Sequence, residues 1–227
     1  MLKIEPKPDL VAQTRAAIRG AIIAGELPPL SPLAQEDLAA KFGVSRQPIS
    51  HALVMLKQEG LVVDRGRKGQ MVAPIDPEKL LALYQVRGAL DRLAARLAAT
   101  NAHKSSSGLL EIVDHGTDAL NKRSVEALVS ADIAFHSALY ELSGNNEITT
   151  TAENFWPHIA RSMRVVLEDK DQWPRIWDEH RAIAQAIEDG NIEKAGDLAT
   201  DHAENSGEAT YQRLLSEQSY FQKQANQ

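Results

Sequence analysis

Four side chains in the second half of this 227-residue chain could together hold a cation: Asp132, His136, His180 and His202. Asp132 and His136 stand four residues apart, one helical turn, so both can reach one ion from one face. Each of the four belongs to an apolar stripe at helical spacing. Val125, Leu128, Phe135, Leu139 and Leu142 surround Asp132, with His136 at the edge; Ile176, Ile183, Ala184 and Ile187 flank His180; Ala195, Leu198, Ala199 and Ala209 flank His202. A buried carboxylate is costly unless it is paired or metal-bound. A lone inward histidine is ordinarily a satisfied core residue, and an Asp-x-x-x-His pair alone is a weak signal. Four such groups on matching faces of three helices point instead to a site for a divalent metal or a polar ligand. Three imidazoles and one carboxylate suit zinc, nickel, manganese or iron about equally.

A second chemistry lies in the first half. In Ser45-Arg46-Gln47-Pro48-Ile49-Ser50-His51-Ala52-Leu53, the apolar positions Ile49, Leu53 and Leu56 form one stripe and leave Arg46, Gln47, Ser50 and His51 facing out. Ser45 is placed to cap this helix through its hydroxyl, and Pro48 falls in the first turn, where its missing N–H costs nothing. Arg65, Arg67 and Lys68 cluster between two short strand patterns, Leu61–Asp64 and Gln70–Ala73. Basic side chains on a hairpin tip beside a polar helix N-terminus suit a phosphate backbone and the base edges of a major groove. A third group is Arg87 with Asp91, again one turn apart, which reads either as a ligand-side arginine or as an internal ion pair. Arg161 and Arg164 could face the same interior or the solvent.

The elements that position these groups follow from periodicity. A helix is expected from Asp9 to about Ala24, a short one over Leu33–Phe42, a tight connection at Gly43-Val44, and the polar-faced helix ending at Gly60. With the two strands this is a winged helix-turn-helix over residues 1–75, with residues 1–8 read as a frayed arm. Pro74-Ile75-Asp76-Pro77 forms a short rigid connection. Helical patterns near 78–100, 106–121, 124–143, 147–168, 174–189 and 191–217 then make residues 76–227 an all-α bundle. The fold class is mainly α, with a small β-hairpin wing. Trp156, His158, Trp173 and Trp177 read as packing or surface residues.

Charge supports the division. The net charge is −6, yet residues 1–75 hold ten basic and seven acidic side chains, and the remainder 15 and 24. The excess of positive charge therefore sits on the part that would face nucleic acid. There is no cysteine, which excludes disulfides and thiolate chemistry and fits a cytoplasmic protein. No run of 18 apolar residues exists, and no signal peptide is evident, so no membrane partner is expected.

Ala21–Pro74 resembles the DNA-binding domain of the GntR family of bacterial transcription regulators. Gly25-Glu26-Leu27-Pro28-Pro29, Leu38-Ala39, Phe42-Gly43-Val44-Ser45-Arg46, Pro48, Ala52-Leu53, Leu56, Glu59-Gly60-Leu61, Gly69 and Val72 fall in its register. Leu30 stands where the family usually has glycine, and Ser50-His51 where it usually has Arg-Glu. Residues 80–217 resemble the helical ligand-binding (FCD) domain of the FadR subgroup, through Arg87 with Asp91, Asp132 with Phe135-His136 and Leu139, Ser143-Gly144-Asn145, Glu179-His180, Ala186-Ile187, Gly190 and His202. Asp91 stands where Glu is usual, and the count of six helices resembles the shorter, VanR-like variants.

The resemblance implies a homodimeric repressor on a palindromic double-stranded operator, with Asp132, His136, His180 and His202 as ligands to a divalent metal. It also implies a small carboxylate effector beside that metal, with Arg87, Arg161 and Arg164 as candidates to meet it. Ser45, Arg46, Gln47, Ser50, His51, Arg65, Arg67 and Lys68 are the expected DNA contacts. Two rivals remain open at this level: a constitutive DNA binder with a structural metal, and a metal-dependent hydrolase fused to a DNA-binding domain. No obvious general base accompanies the four ligands, which argues against catalysis.

Overall fold

The computed structural model describes residues 9–101, 108–122, 124–166 and 173–225, with the side chains of 164–166 and 217–225 outside that description. The arm at residues 1–8, and most of the break expected at Thr100–Ser107, lie outside the described residues. The chain divides into two compact units, Met1–Ile75 and Asp76–Gln227.

In the first unit, α1 (Leu10–Ile23) begins at Asp9, whose carboxylate accepts from the backbone N–H of Val11 and Ala12, and buries Ile18, Ala21 and Ile22. α2 (Gln35–Phe42) ends at left-handed Gly43. α3 (Arg46–Gln58) buries Pro48, Ile49, Ala52, Leu53 and Leu56. It closes with a Schellman motif, in which the N–H of Leu61 donates to Leu56 O and that of Gly60 to Lys57 O. Strands β1 (Val62–Asp64) and β2 (Gln70–Val72) pair antiparallel, with Val63 opposite Met71. A 3₁₀ turn at Gly66–Lys68 forms the tip between them. Ile18, Leu38, Leu53, Leu56, Leu61 and Val72 meet in one core.

Two local expectations are corrected here. α2 starts at Gln35 rather than Leu33, because residues 31–33 run beside β2 after a turn at Leu30: Leu30 N–H donates to Val72 O, Val72 N–H to Ser31 O, and Leu33 N–H to Gln70 O. Ser45 is the N-cap residue of α3, but its hydroxyl makes no capping hydrogen bond.

The second unit is helical: α4 (Pro77–Asn101), α5 (Leu109–Lys122), α6 (Val125–Ser143), α7 (Asn146–Ala152), α8 (Trp156–Val166), α9 (Trp173–Glu188) and α10 (Ile192–Ala225). The single helix expected over 147–168 is two, so the six-helix expectation gives way to seven helices among the described residues. Pro157 is the physical reason: it lacks an N–H, and its ring would collide with the carbonyl four residues earlier. The chain turns through Glu153–Phe155 instead, and α8 starts afresh. α4 and α10 pack antiparallel along their length, closely enough that a Cβ on Gly207 would lie 2.6 Å from Tyr84 Cβ. α9 closes with a second Schellman motif at Gly190, whose φ is 67°. No helix among the described residues is long and apolar enough to cross a membrane.

Candidate metal centre and nucleic-acid interface

α6, α9 and α10 each turn their titratable residues inward because the surrounding stripe positions are buried: Leu128, Phe135 and Leu139 on α6, Ile183 and Ile187 on α9, Ala195, Ala199 and Ala203 on α10. The result is that Asp132, His136, His180 and His202, all buried, offer ligating atoms that lie within 4.8 Å of one another. His180 Nε2 is 3.2 Å from His202 Nε2 and 3.6 Å from Asp132 Oδ1. Phe135 stacks on His180 with ring centroids 4.2 Å apart, and Trp177 meets the same imidazole edge-on.

The electrostatics favour a cation. Burial pushes the Asp132 carboxyl up to about 6, with Arg87 pulling it down and Asp91 pushing it up. Burial, and then the nearby positive charges, hold His136, His180 and His202 well below the ordinary imidazole value, so all three are neutral at pH 7 with lone pairs to offer. Asp132 Oδ2 and His180 Nδ1 are buried without a hydrogen-bond partner. Unsatisfied polar atoms at such depth are costly, and a cation held by this N₃O donor set would meet the demand of the carboxylate. The residues present therefore fit a divalent metal.

Around this cluster lies a second buried network. Arg87 Nε donates to Asp91 Oδ2 at 3.1 Å, and the Tyr140 hydroxyl donates to Asp91 Oδ1 at 2.5 Å. Arg87 Nη2 reaches His136 Nε2 at 2.5 Å, and its guanidinium lies 5.0 Å from the centroid of the Trp156 ring. Burial alone would lower the Arg87 pKa, but the carboxylates of Asp91 and Asp132 outweigh it and the guanidinium stays charged. A cavity of about 30 Å³ opens beside it, lined by Tyr84, Arg87, Asp132, Met163, Arg175, Ile176, His202, Ser206, Ala209 and Thr210.

The sequence-derived site residues divide accordingly. Arg87 is paired with Asp91 inside the bundle and also lines the cavity. Arg161 is largely buried on α8, where desolvation lowers its pKa to about 10, but it is not among the cavity-lining residues. The side chain of Arg164 lies outside the described residues. Arg175 lines the cavity and was missed, although its place one turn before Glu179-His180 was a usable signal. Trp156, read as a packing or surface residue, packs against Arg87 and His136. Trp173, Trp177 and His158 are buried packing residues.

In the first unit, Ser45, Arg46, Gln47 and His51 are exposed and Ser50 is half-buried along the N-terminal half of α3. Arg65, Arg67 and Lys68 are exposed at the wing tip. Between wing and helix runs an open cleft of about 570 Å³, bordered by residues 32–36, Arg46, Asp64, Gly66 and 68–70. Arg46 pairs with Glu36 at 2.8 Å and Lys57 with Asp64 at 2.5 Å. Two carboxylates thus stand on a face otherwise suited to phosphate.

Comparison with known proteins accords with both halves. The family described as "Bacterial regulatory proteins, gntR family" matches residues 10–72, and the FCD domain matches residues 82–205. An HTH-type transcriptional regulator of Streptomyces ambofaciens is 31% identical over 180 residues, covering 77% of this chain and 74% of that one. The gluconate operon transcriptional repressor of Bacillus subtilis is 27% identical over 176 residues, covering 75% and 72%. Among solved structures, a GntR transcriptional regulator from Rhodococcus sp. RHA1 superposes with a TM-score of 0.77 at 24% identity, covering 88% and 96%.

Proposed function

This chain belongs to the gntR family of bacterial regulatory proteins, with an FCD domain after its helix-turn-helix, and from that premise we propose that a small carboxylate controls its DNA binding from beside a divalent metal. It is a transcriptional regulator rather than an enzyme. The observation that carries the finer reading is the buried Asp132, His136, His180 and His202 cluster, which opens on the cavity that Arg87 also lines. A divalent cation bound there would supply positive charge to a carboxylate ligand, and Arg87 would hold the same ligand with charge-assisted hydrogen bonds in a site of low dielectric. That one relative represses a gluconate operon, gluconate being a hydroxycarboxylate, supports the ligand class.

Residues 76–227 are the effector-binding and dimerisation domain in this reading, and residues 1–75 the DNA-binding domain. The protein acts in the cytoplasm as a homodimer, whose twofold symmetry suits a palindromic operator read by two copies of α3. Gln47, Ser50 and His51 meet base edges, Arg46 meets a phosphate or a guanine edge, the exposed Ser45 stands beside them at the helix start, and Arg65, Arg67 and Lys68 hold phosphates. The effector shifts operator affinity by its differential affinity for two dimer geometries, and by no more.

Thermal unfolding against a panel of small hydroxy- and dicarboxylates, with and without chelation and metal return, tests the reading. Ligand at a hundredfold excess over its Kd stabilises by about 2.7 kcal/mol. A carboxylate shift that disappears on chelation and returns with metal is expected. Unfolding insensitive to both chelator and metal would remove the metal from the reading.

A further inference from the structure

Glu179 is not one of the four clustered ligands, yet both of its carboxylate oxygens are engaged at the centre's edge. Oε2 lies 2.8 Å from His202 Nδ1, and Oε1 lies 3.3 Å from Arg175 Nη1. A carboxylate only accepts, so His202 carries its proton on Nδ1 and turns the Nε2 lone pair toward the cluster, 3.2 Å from His180 Nε2. Arg175, on the same face of α9 one turn before Glu179, lines the cavity alongside Arg87, Asp132 and His202. One chain of contacts therefore runs from the cavity wall to the imidazole of His202, on the side away from its Nε2: Arg175, Glu179, His202.

We propose that Glu179 is a positioning residue that fixes His202 as a donor through Nε2, and that Arg175, acting through Glu179, sets how tightly the centre holds a cation. The proposal rests on the metal reading above. A carboxylate on the far nitrogen of an imidazole ligand fixes its tautomer and raises its basicity. A guanidinium on the same carboxylate withdraws part of that negative charge. An anionic ligand that draws Arg175 toward the cavity would leave Glu179 wholly to His202 and tighten the cation. By linkage, the cation then tightens the ligand by the same factor. The same three side chains thus couple effector to metal by a route additional to any direct contact between the two.

Co²⁺ binding to the full-length chain, measured against a competing chelator and by its visible absorption spectrum, tests this with E179Q, R175Q and the double variant. E179Q should lower Co²⁺ affinity ten- to a hundredfold and alter the Co²⁺ spectrum, while the unfolding midpoint without metal stays near that of the wild type. R175Q should raise Co²⁺ affinity severalfold on the wild-type background and change nothing on the E179Q background. Wild-type affinity in E179Q, or an R175Q effect of equal size without Glu179, would overturn the proposal and leave the metal reading intact. If E179Q does not fold, R175Q alone decides, since an unchanged affinity there removes the coupling. A wild-type chain that binds no Co²⁺ overturns the metal reading and this inference together.

Discussion

Arg87 Nη2 lies 2.5 Å from His136 Nε2, so a buried guanidinium and a bound cation would draw on the same imidazole lone pair. The same guanidinium holds Asp91, whose other oxygen takes the Tyr140 hydroxyl. Arg87 is thus at once a brace of the bundle and a neighbour of the candidate centre. Removing it leaves Asp91 buried without its counter-charge. Arg87→Met is expected to destabilise the protein by about 3–5 kcal/mol, and addition of Asp91→Asn to recover a large part. Urea denaturation of the single and double variants measures both.

Arg46 and Glu36 form an exposed pair on the nucleic-acid face, and such pairs add little stability. Arg46→Ala should weaken binding to an operator selected from a randomised duplex library and reduce the slope of log K against log salt by about 1 if it contacts phosphate. Glu36→Ala should leave the unfolding midpoint unchanged and raise affinity for random duplex, because a negative charge leaves the docking face. Fluorescence anisotropy over a salt series reads both.

Leu30 has a φ of 66° and is exposed. It is held there by hydrogen bonds from its own N–H to Val72 O and from Ser31 N–H to Pro28 O. A left-handed conformation costs an L-residue about 1–2 kcal/mol, while glycine brings extra chain entropy to the unfolded state, at about 0.5–1 kcal/mol. Leu30→Gly should therefore stabilise by about 0.5–1 kcal/mol, and Leu30→Val should destabilise. The unfolding midpoints of the two variants should move in opposite directions.

The buried titratable groups predict a pH dependence for the cation-free protein. The three imidazoles titrate well below 6.5 when folded. Below that pH the unfolded chain binds more protons, so stability falls as pH drops from 7 to 5. Asp132, raised to about 6 by burial, works in the opposite sense: its contribution is full below the unfolded value near 4 and is lost as pH rises through 6. Asp132→Asn should thus gain on the wild type at pH 7 and lose that advantage at pH 4–5. Urea midpoints with chelator present, taken across this range, check both signs. Cation affinity in the wild type should fall below about pH 6 as Asp132 takes up its proton.

Two helical glycines should respond oppositely to alanine. A Cβ on Gly116 would lie 2.1 Å from the Trp177 ring, which itself packs on His180. Gly116→Ala should cost about 1–3 kcal/mol. Gly20, on α1, has nothing within 4 Å of the added carbon, so Gly20→Ala should stabilise by about 0.5–1 kcal/mol. Thermal unfolding of each variant decides the sign.

Much of the architecture and of the candidate centre was legible in the residues alone. The 3.6-residue period says which face of a helix is buried, so Asp132, His136, His180 and His202 could be read as inward before any helix was placed. Gly43, Gly60 and Gly190 marked helix ends because a left-handed residue is wanted there. Periodicity does not say which inward faces meet, or at what height. That Arg87 reaches His136, that Trp156 lies against both, and that Arg175 joins the cavity while Arg161 does not were decided by how α4, α6, α8, α9 and α10 pack. The break at Pro157 could have been seen in the sequence, since the missing N–H is a local property. The course of residues 31–33 could not, because it depends on hydrogen bonds to β2, about 40 residues further along the chain. Residue types and spacing determined what chemistry is on offer; only the packing of the helices brought those groups within reach of one another, because contact between distant segments depends on the shapes of both.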